Sequence, residues 1–264
     1  MLFAYVIVYL VFLYAPIVVI GLFSFNESSS LTFPIEGFSL QWYEKLISNP
    51  AFLASLKNSF IVATSAAIVT TILGSLAALA LLRLRGRWKA ALGAIGFAPI
   101  ALPGLFLGIG LVAMFAQVGV QRSLVTVTAA HVLFALPFFI ETMRSRIEYF
   151  DLSLEDAAKD LGASTMQTFK LVTLPIIGPS IIGAAMLVFA LSFDEFIITV
   201  FVSGNESTLP LLIWSMMRVT VNPEINAASM VAMALSLLIT MGGGLLFWAQ
   251  RRRAVSARKL LNGE

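Results

Sequence analysis

Long runs without charged residues recur along the chain, and they constrain its fold more than any other feature. Residues 2–23 contain no charged side chain, and further apolar runs of comparable length follow. About 20 apolar residues in an α-helix are long enough to cross the hydrocarbon layer of a membrane. Only 12% of the residues are charged and 59% are hydrophobic, which is too little charge for the surface of a water-soluble protein of 264 residues. The sequence therefore predicts an all-α fold, a polytopic membrane helical bundle.

Six apolar segments predict six transmembrane helices in a single transmembrane domain, 1–264. They occupy residues 2–23, 58–82, 90–120, 124–143, 176–202 and 223–249. The third contains Pro99 and Pro103-Gly104, and because proline removes a helical hydrogen bond, this span is expected to be kinked or interrupted. The first lacks the basic start and the small-residue cleavage site of a signal peptide, so it is expected to remain as a span.

The basic residues predict how the helices are oriented. All but four of the 17 Lys and Arg residues lie in the loops after spans two and four or in the tail after span six. Lys and Arg accumulate on the cytoplasmic side of membrane proteins. Both termini and the loop 144–175 are therefore predicted to be cytoplasmic. Because these residues form short clusters that flank the spans, they do not indicate a nucleic-acid partner.

The stretch 151–175 is the one long segment of mixed polarity between the apolar runs. Its pattern predicts a helix, a glycine turn and a second helix outside the bilayer. The predicted starts are Ser153 with Asp156 and Ser164 with Gln167, and the predicted ends are Gly162 and Pro175. A pair of short helices on the aqueous face of a membrane protein suggests a docking element.

An acidic pair, Asp194-Glu195, follows Ser192 within the predicted fifth span. A carboxylate in the middle of a bilayer costs about 2.5 to 3.5 kcal/mol on insertion scales, so such residues commonly serve a pathway. The alternative is a structural salt bridge or a pair near the outer interface. The only histidine, His131, lies in the fourth span, where a hydrogen-bonded packing role is favoured over a proton relay or a metal ligand.

The spacing in the polar stretch resembles the EAA loop of ABC importer permeases. Asp156-Ala157-Ala158 is followed after three residues by Gly162 and, after nine more, by Val-x-Leu-Pro ending at Pro175. The family pattern has Glu for the first Asp and Ile for the Val. The resemblance implies a paired helix that fits a groove on a cytoplasmic ATPase subunit. The implied coupling residues are Glu155, Asp156, Ala157, Ala158, Gly162, Leu174 and Pro175. The alternative is an ordinary amphipathic loop that folds onto the bundle itself.

Most of the chain also resembles the permeases of spermidine/putrescine-type ABC importers. The similarity includes LSFDEFIITVFVSG, TLPLLIWSMMR and NPEINAASMVAMALSL. It implies the type I importer permease fold in a bacterial inner membrane, and a pathway for a polyamine near Ser192, Asp194 and Glu195. The ring face of Trp42 is a further candidate contact for a cation, with an anchor at the membrane–water interface as the equal alternative. The chain departs at Gly104, where many close polyamine permeases carry an acidic residue. Other small organic solutes of the same family are the alternative cargo.

The resemblance further implies four kinds of partner. These are a second permease that completes a heterodimer, two ATP-binding subunits that hold ATP and Mg, an extracytoplasmic solute-binding protein, and membrane lipid. The sequence contains no phosphate-binding P-loop, no Ser/His/Asp constellation and no cysteine, so we expect no catalytic residue, no metal site and no cofactor in this chain. An ion-coupled secondary transporter is a further alternative, in which Asp194 and Glu195 bind the coupling ion.

Overall fold

The computed structural model describes residues 2–147, 149–219 and 221–262, and its regular elements are helices beside one isolated β-bridge between Asn26 and Phe38. The all-α prediction is confirmed. The helices are α1 Leu2–Ser24, α2 Gln41–Ile47, α3 Pro50–Arg83, α4 Gly86–Ala101, α5 Gly104–Gln117, α6 Leu124–Ile147, α7 Ser153–Asp160, α8 Thr165–Thr168, α9 Leu174–Asp194, α10 Ile197–Val202, α11 Leu209–Val219 and α12 Pro223–Asn262. A π-helical turn, Phe169–Thr173, joins α8 to α9.

Five helical stretches in the described residues are long and apolar enough to cross a membrane. They are Phe3–Ser24, Pro50–Arg83, Leu124–Ser145, Thr165–Asp194 and Pro223–Gly242. Helices α4 and α5 meet the same criterion only together, and they are bent by 102° at the break between them. The interruption expected in the third segment therefore lies at Leu102-Pro103, where Pro103 precedes the first residue of α5 and has no N–H to continue α4.

The fifth predicted segment, 176–202, is not one continuous helix. Helix α9 ends at Asp194, Glu195 adopts an extended conformation, and α10 begins at Ile197. The prediction was wrong here because the segment is apolar on average despite Asp194 and Glu195, and average hydropathy does not register a break of two residues. The acidic pair consequently lies at the end of α9 and not inside a helix.

The chain divides into two compact units. The first comprises the chain up to Ser59 together with Glu206–Leu237, and the second comprises Phe60–Asn205 with the chain from Leu238 onward. In the first unit, Lys45 Nζ lies 2.5 Å from Glu224 Oε2, and the Ser59 hydroxyl accepts the backbone N–H of Leu209 at 2.8 Å. These bonds tie α2 to α12, and α3 to the start of α11.

Two apolar clusters organise the second unit. One joins α3, α6 and α9 around Phe139, Met143 and Val188, which are all fully buried. A Cβ on Gly74 would overlap the Phe139 ring, so this glycine is what lets α3 approach α6 closely. The other cluster packs α10 against α5 and α6 and includes Ile198. The break between α9 and α10 is therefore held by packing on both sides.

Candidate functional site

The turn at Gly162 connects the two short helices of the polar stretch. Gly162 has φ +87°, a left-handed conformation that side chains with a Cβ rarely adopt. Its N–H donates to Lys159 O at 2.8 Å, and the N–H of Ala163 donates to Ala158 O at 3.0 Å. These two bonds form a Schellman motif, which caps the carbonyl end of α7. The predicted glycine stop is confirmed.

The second start signal is confirmed, and the first is wrong. Ser164 and Gln167 form a capping box, in which the Ser164 hydroxyl accepts the Gln167 N–H at 3.3 Å and the Gln167 side chain accepts the Ser164 N–H at 2.8 Å. Ser153 does not cap α7, because it is already the first helical residue and its N–H donates to Asp151 Oδ1 at 2.9 Å. Hydrogen bonds from the side chain and the backbone of Ser153 lower the pKa of the Asp151 carboxyl.

Pro175 does not end the second segment as expected. The helix runs on from the π-helical turn, in which the N–H of Leu174 donates to Phe169 O, and Pro175 lies in the first turn of α9. Proline has no N–H to donate one turn back, and the π-helical turn Phe169–Thr173 directly before it already interrupts the α-helical hydrogen-bond pattern. The polar stretch and the predicted fifth span are therefore joined by continuous helix from Thr165 to Asp194.

Glu155 differs from the other residues named for the polar stretch, because it faces inward. It is 5% exposed, its Oε1 accepts the Thr173 hydroxyl at 2.6 Å, and its Oε2 lies 3.2 Å from Arg83 Nη2. Glu155 thus fastens α7 to both the π-helical turn and the end of α3. Sequence reasoning missed Arg83 and Thr173 as its partners and did not distinguish Glu155 from the neighbouring Asp156, which is exposed.

The exposed side of this stretch carries large apolar side chains. Leu161 is 90% exposed and Leu171 is 74% exposed, and Leu154 and Met166 are also exposed. Ala157, Leu174 and Pro175 are exposed, whereas Ala158 and Phe169 are half-buried. Apolar side chains of this size at such exposure are typical of a surface that another protein covers. We call the exposed apolar residues of this stretch the loop face; they are Leu154, Ala157, Leu161, Met166, Leu171, Leu174 and Pro175.

His131 connects the two sides of the break between α9 and α10. The ring is fully buried, with Nδ1 2.7 Å from the Ser192 hydroxyl in α9 and Nε2 2.9 Å from the Thr199 hydroxyl in α10. The Thr199 hydroxyl donates its one proton to Glu195 O at 2.8 Å. It must therefore accept from Nε2–H, which leaves Nδ1 to accept from Ser192. The packing role favoured for His131 is confirmed.

The acidic pair is held at this break. Asp194 is exposed and is the last residue of α9. Glu195 is half-buried, and its Oε1 accepts the N–H of Ile198 at 3.0 Å, so the carboxylate caps the start of α10. Ser192 is brought to the same place by His131, but it is buried and its hydroxyl is used in that bond. Sequence reasoning missed Thr199, because a threonine in an apolar segment gives no sign that its hydroxyl bonds a histidine 68 positions earlier.

Trp42 belongs to the first unit, whereas Ser192, Asp194 and Glu195, the other residues predicted for the pathway, belong to the second. Its indole N–H donates to Asn26 O at 2.6 Å, and Lys45 Nζ lies 5.7 Å from the ring centroid. The ring is half-buried. Trp42 therefore already makes, within its own unit, a hydrogen bond and a cation–π contact.

Gly104 lies against the start of α10. A Cβ on this residue would be 3.6 Å from Ile198 Cγ1 and 3.8 Å from Ile197 Cγ2, which is ordinary van der Waals contact. An acidic side chain here would therefore project from α5 next to the residues that follow Glu195.

Among the residues that the structure describes, no three His, Cys, Asp or Glu side chains form a group suited to a metal ion.

Replacing His131 with leucine is expected to lower the free energy of unfolding by about 2 kcal/mol, because two buried hydrogen bonds are lost and the Ser192 hydroxyl loses its acceptor. His131→Gln keeps one donor and one acceptor and should lose less. Thermal melting of the detergent-solubilised protein checks the order wild type, Gln, Leu. Equal melting temperatures for the Leu variant and the wild type would contradict the bonded network.

Comparisons with known proteins agree on one family. Residues 70–255 match the model of the family described as "Binding-protein-dependent transport system inner membrane component". The chain is 35% identical over 236 residues to the spermidine/putrescine transport system permease protein PotC of Escherichia coli K12, covering 89% of each chain. It is 36% identical over 260 residues to the putrescine transport system permease protein PotI of the same strain, covering 94% of this chain and 89% of PotI. A crystal structure of a bacterial ABC transporter for alginate import contains a chain with the same fold, at TM-score 0.76 and 16% identity, covering 96% of this chain and 94% of that one.

Proposed function

The chain belongs to the family of binding-protein-dependent transport system inner membrane components and is a permease subunit of an ABC importer; from this premise we propose that its cargo is a polyamine. The relatives that are 35% and 36% identical are named for spermidine and putrescine. The observation that carries the proposal beyond their names is the exposed Asp194 carboxylate at a helix break. A carboxylate in a membrane helix bundle attracts an ammonium group, and polyamines carry several.

We propose that the chain crosses a bacterial inner membrane six times, with both termini in the cytoplasm. The bent pair α4 and α5 supplies the sixth crossing beside the five longer stretches. The distribution of Lys and Arg supports this orientation, because most of them follow spans two, four and six. The polar stretch then faces the cytoplasm, while the break after Asp194 lies toward the outer side. Residues 1–264 act as one permease domain, of which 144–175 is the cytoplasmic loop.

The loop face is the proposed contact with an ATPase subunit. Exposed Leu161 and Leu171 supply apolar anchors, and Asp156 and Ala157 stand exposed beside them. Glu155, buried against Arg83 and Thr173, transmits movement of α7 into α3 and the π-helical turn. Since α8 continues into α9 without interruption, displacement of the loop also moves the end of α9 as a rigid body. In this way closure of the ATPases reaches the break at Asp194.

The complete importer contains this chain, a second permease, two ATP-binding subunits and an extracytoplasmic binding protein. The binding protein delivers the solute to the outer opening, and ATP binding closes the ATPases. The pathway receives the solute near Asp194 and Glu195 and reopens inward after hydrolysis. ATP and Mg are bound by the ATPase subunits, and this chain contributes binding and movement without a chemical step. Membership of the family sets aside the ion-coupled alternative.

Gly104 bears on how strongly a polycation is held. Its place against Ile197 and Ile198 means that an acidic residue at this position would add a third carboxylate near the break. With glycine there, we expect this chain alone to attract the cargo less than permeases that carry the acid. The second permease is the proposed source of additional negative charge.

Uptake competition in cells that carry the whole importer tests the cargo. Labelled spermidine should enter only when the permease is present, and unlabelled putrescine should reduce that uptake by more than half when in excess. An uncharged diol of the same carbon length serves as the matched control and should not compete. If neither polyamine competes while a different small solute drives ATP hydrolysis, the cargo is that other solute of the same family.

A further inference from the structure

A cavity of about 500 Å³ lies between α3, α4 and α6 in the second unit. It sits where these helices meet near the end of α3, the start of α4 and the end of α6. Its walls are mostly apolar and include Ala78, Leu82, Phe97 and Phe150. None of the residues assigned above to the loop face or to the helix break lines this cavity. It is a separate feature of the molecule.

The charged residues of the cavity are of one sign. Among the described residues that line it, Lys89 and Arg144 are cationic and none is acidic. Lys89 is exposed, and the half-exposed Arg144 guanidinium lies 3.9 Å from Glu141 Oε2, one turn earlier in α6. A guanidinium and an ammonium at the edge of an apolar cavity match a phosphate that is attached to a hydrocarbon chain.

Neighbouring residues place the cavity edge at the depth of lipid headgroups. Trp88 precedes Lys89, is 64% exposed, and has the Arg87 guanidinium 5.5 Å from its ring centroid. Exposed tryptophan flanked by basic residues at the end of apolar helices is typical of a membrane–water interface. Basic pockets between transmembrane helices at this depth bind the headgroups of anionic lipids.

We propose that this cavity binds an anionic phospholipid of the surrounding leaflet. Its phosphate lies between Lys89 and Arg144, and the upper part of one acyl chain packs against Leu82 and Phe97. An acidic peptide fits less well, because its backbone would need polar partners that these apolar walls do not supply. A polyamine is repelled by the two cations. The site therefore differs in charge from the proposed pathway and serves a structural or regulatory ligand.

Thermal melting of the assembled, detergent-purified importer with added phosphatidylglycerol tests the proposal, with zwitterionic phosphatidylethanolamine as the reference lipid. Phosphatidylglycerol is expected to raise the melting temperature of the wild type by about 3 °C more than the reference lipid. The double variant Lys89→Gln with Arg144→Gln should lose this difference. An exposed lysine and an exposed arginine outside the cavity, changed as Lys57→Gln with Arg122→Gln, are the matched control for net charge and should keep it.

A second variant changes the volume of the cavity and not its charge. A Cβ on Gly93, in the cavity wall, meets no atom within 4 Å, so Gly93→Leu can fold and fill the space. It should also abolish the phosphatidylglycerol difference, whereas Gly110→Leu, at an exposed glycine of α5 outside the cavity, should retain it. A difference that persists in both cavity variants would overturn the site. So would the absence of any difference in the wild type, which would mean that a partner subunit covers this cavity. Neither outcome depends on which solute the importer carries.

Discussion

Replacing Gly162 with valine is expected to lower solute-driven ATP hydrolysis by the assembled importer at least about tenfold. The residue has φ +87°, and the left-handed conformation costs a side chain with a Cβ about 1 to 2 kcal/mol, more when it is β-branched. A chain that avoids this conformation loses both bonds of the Schellman motif and changes the angle between α7 and α8. The loop face is then no longer one surface. Hydrolysis by the purified complex, with and without loaded binding protein, measures the loss.

Asparagine at the same position is the matched control, because it adopts the left-handed conformation more readily than other residues with a Cβ. No atom lies within 4 Å of a Cβ at Gly162, so neither variant suffers a clash inside this chain. Gly162→Asn should therefore keep most of the activity, and Gly162→Val should also co-purify with less ATPase subunit. If the valine variant assembles and hydrolyses ATP like the wild type, the loop face is not the contact with the ATPase.

How far the sequence predicted this loop depends on whether the signal was local. Gly162 and the Ser164–Gln167 box are local signals, since each needs only backbone groups within a few residues, and both predictions hold. The inward direction of Glu155 depends on Arg83, 72 positions earlier, and no local pattern reveals such a partner. The end predicted at Pro175 was wrong because the helix continues through the π-helical turn Phe169–Thr173 and past the proline. Docking itself stays a prediction that the experiments on Gly162 test.

The spans show the same difference between features with a local sequence signal and features that depend on distant residues. Apolar length predicted the long helices, and Pro103 marked the bend between α4 and α5. The break at Glu195 went unpredicted because it is stabilised by side chains distant in sequence and by a local cap. His131 reaches Ser192 and Thr199 from α6, and Glu195 supplies its own carboxylate to the N–H of Ile198. A polar residue that interrupts an apolar segment is therefore as able to end one helix and begin another as to line a pathway.

Neutralising both carboxylates at the break, as Asp194→Asn with Glu195→Gln, is expected to reduce spermidine uptake at least about tenfold. A tenfold change corresponds to about 1.4 kcal/mol, which is less than the attraction of about 4 kcal/mol between unit charges 4 Å apart near a protein surface. The two substitutions keep the shape of each side chain, and the amide oxygen that replaces the Glu195 carboxylate can still accept the N–H of Ile198. Uptake is measured against spermidine concentration, and the loss should appear mainly as weaker apparent affinity.

The separate contribution of the cap is isolated by Glu195→Ala. This change removes the hydrogen bond to Ile198 as well as the charge, so it should lower the free energy of unfolding by about 1 kcal/mol, whereas Glu195→Gln should melt close to the wild type. If uptake falls only in the alanine variant, together with the melting temperature, Glu195 is a structural cap and its charge does not serve the cargo. Uptake that is unchanged after both neutral substitutions removes Asp194 and Glu195 from the pathway. A loss of affinity at unchanged stability assigns their charge to the polyamine, because the fold then retains everything except the attraction for a cation.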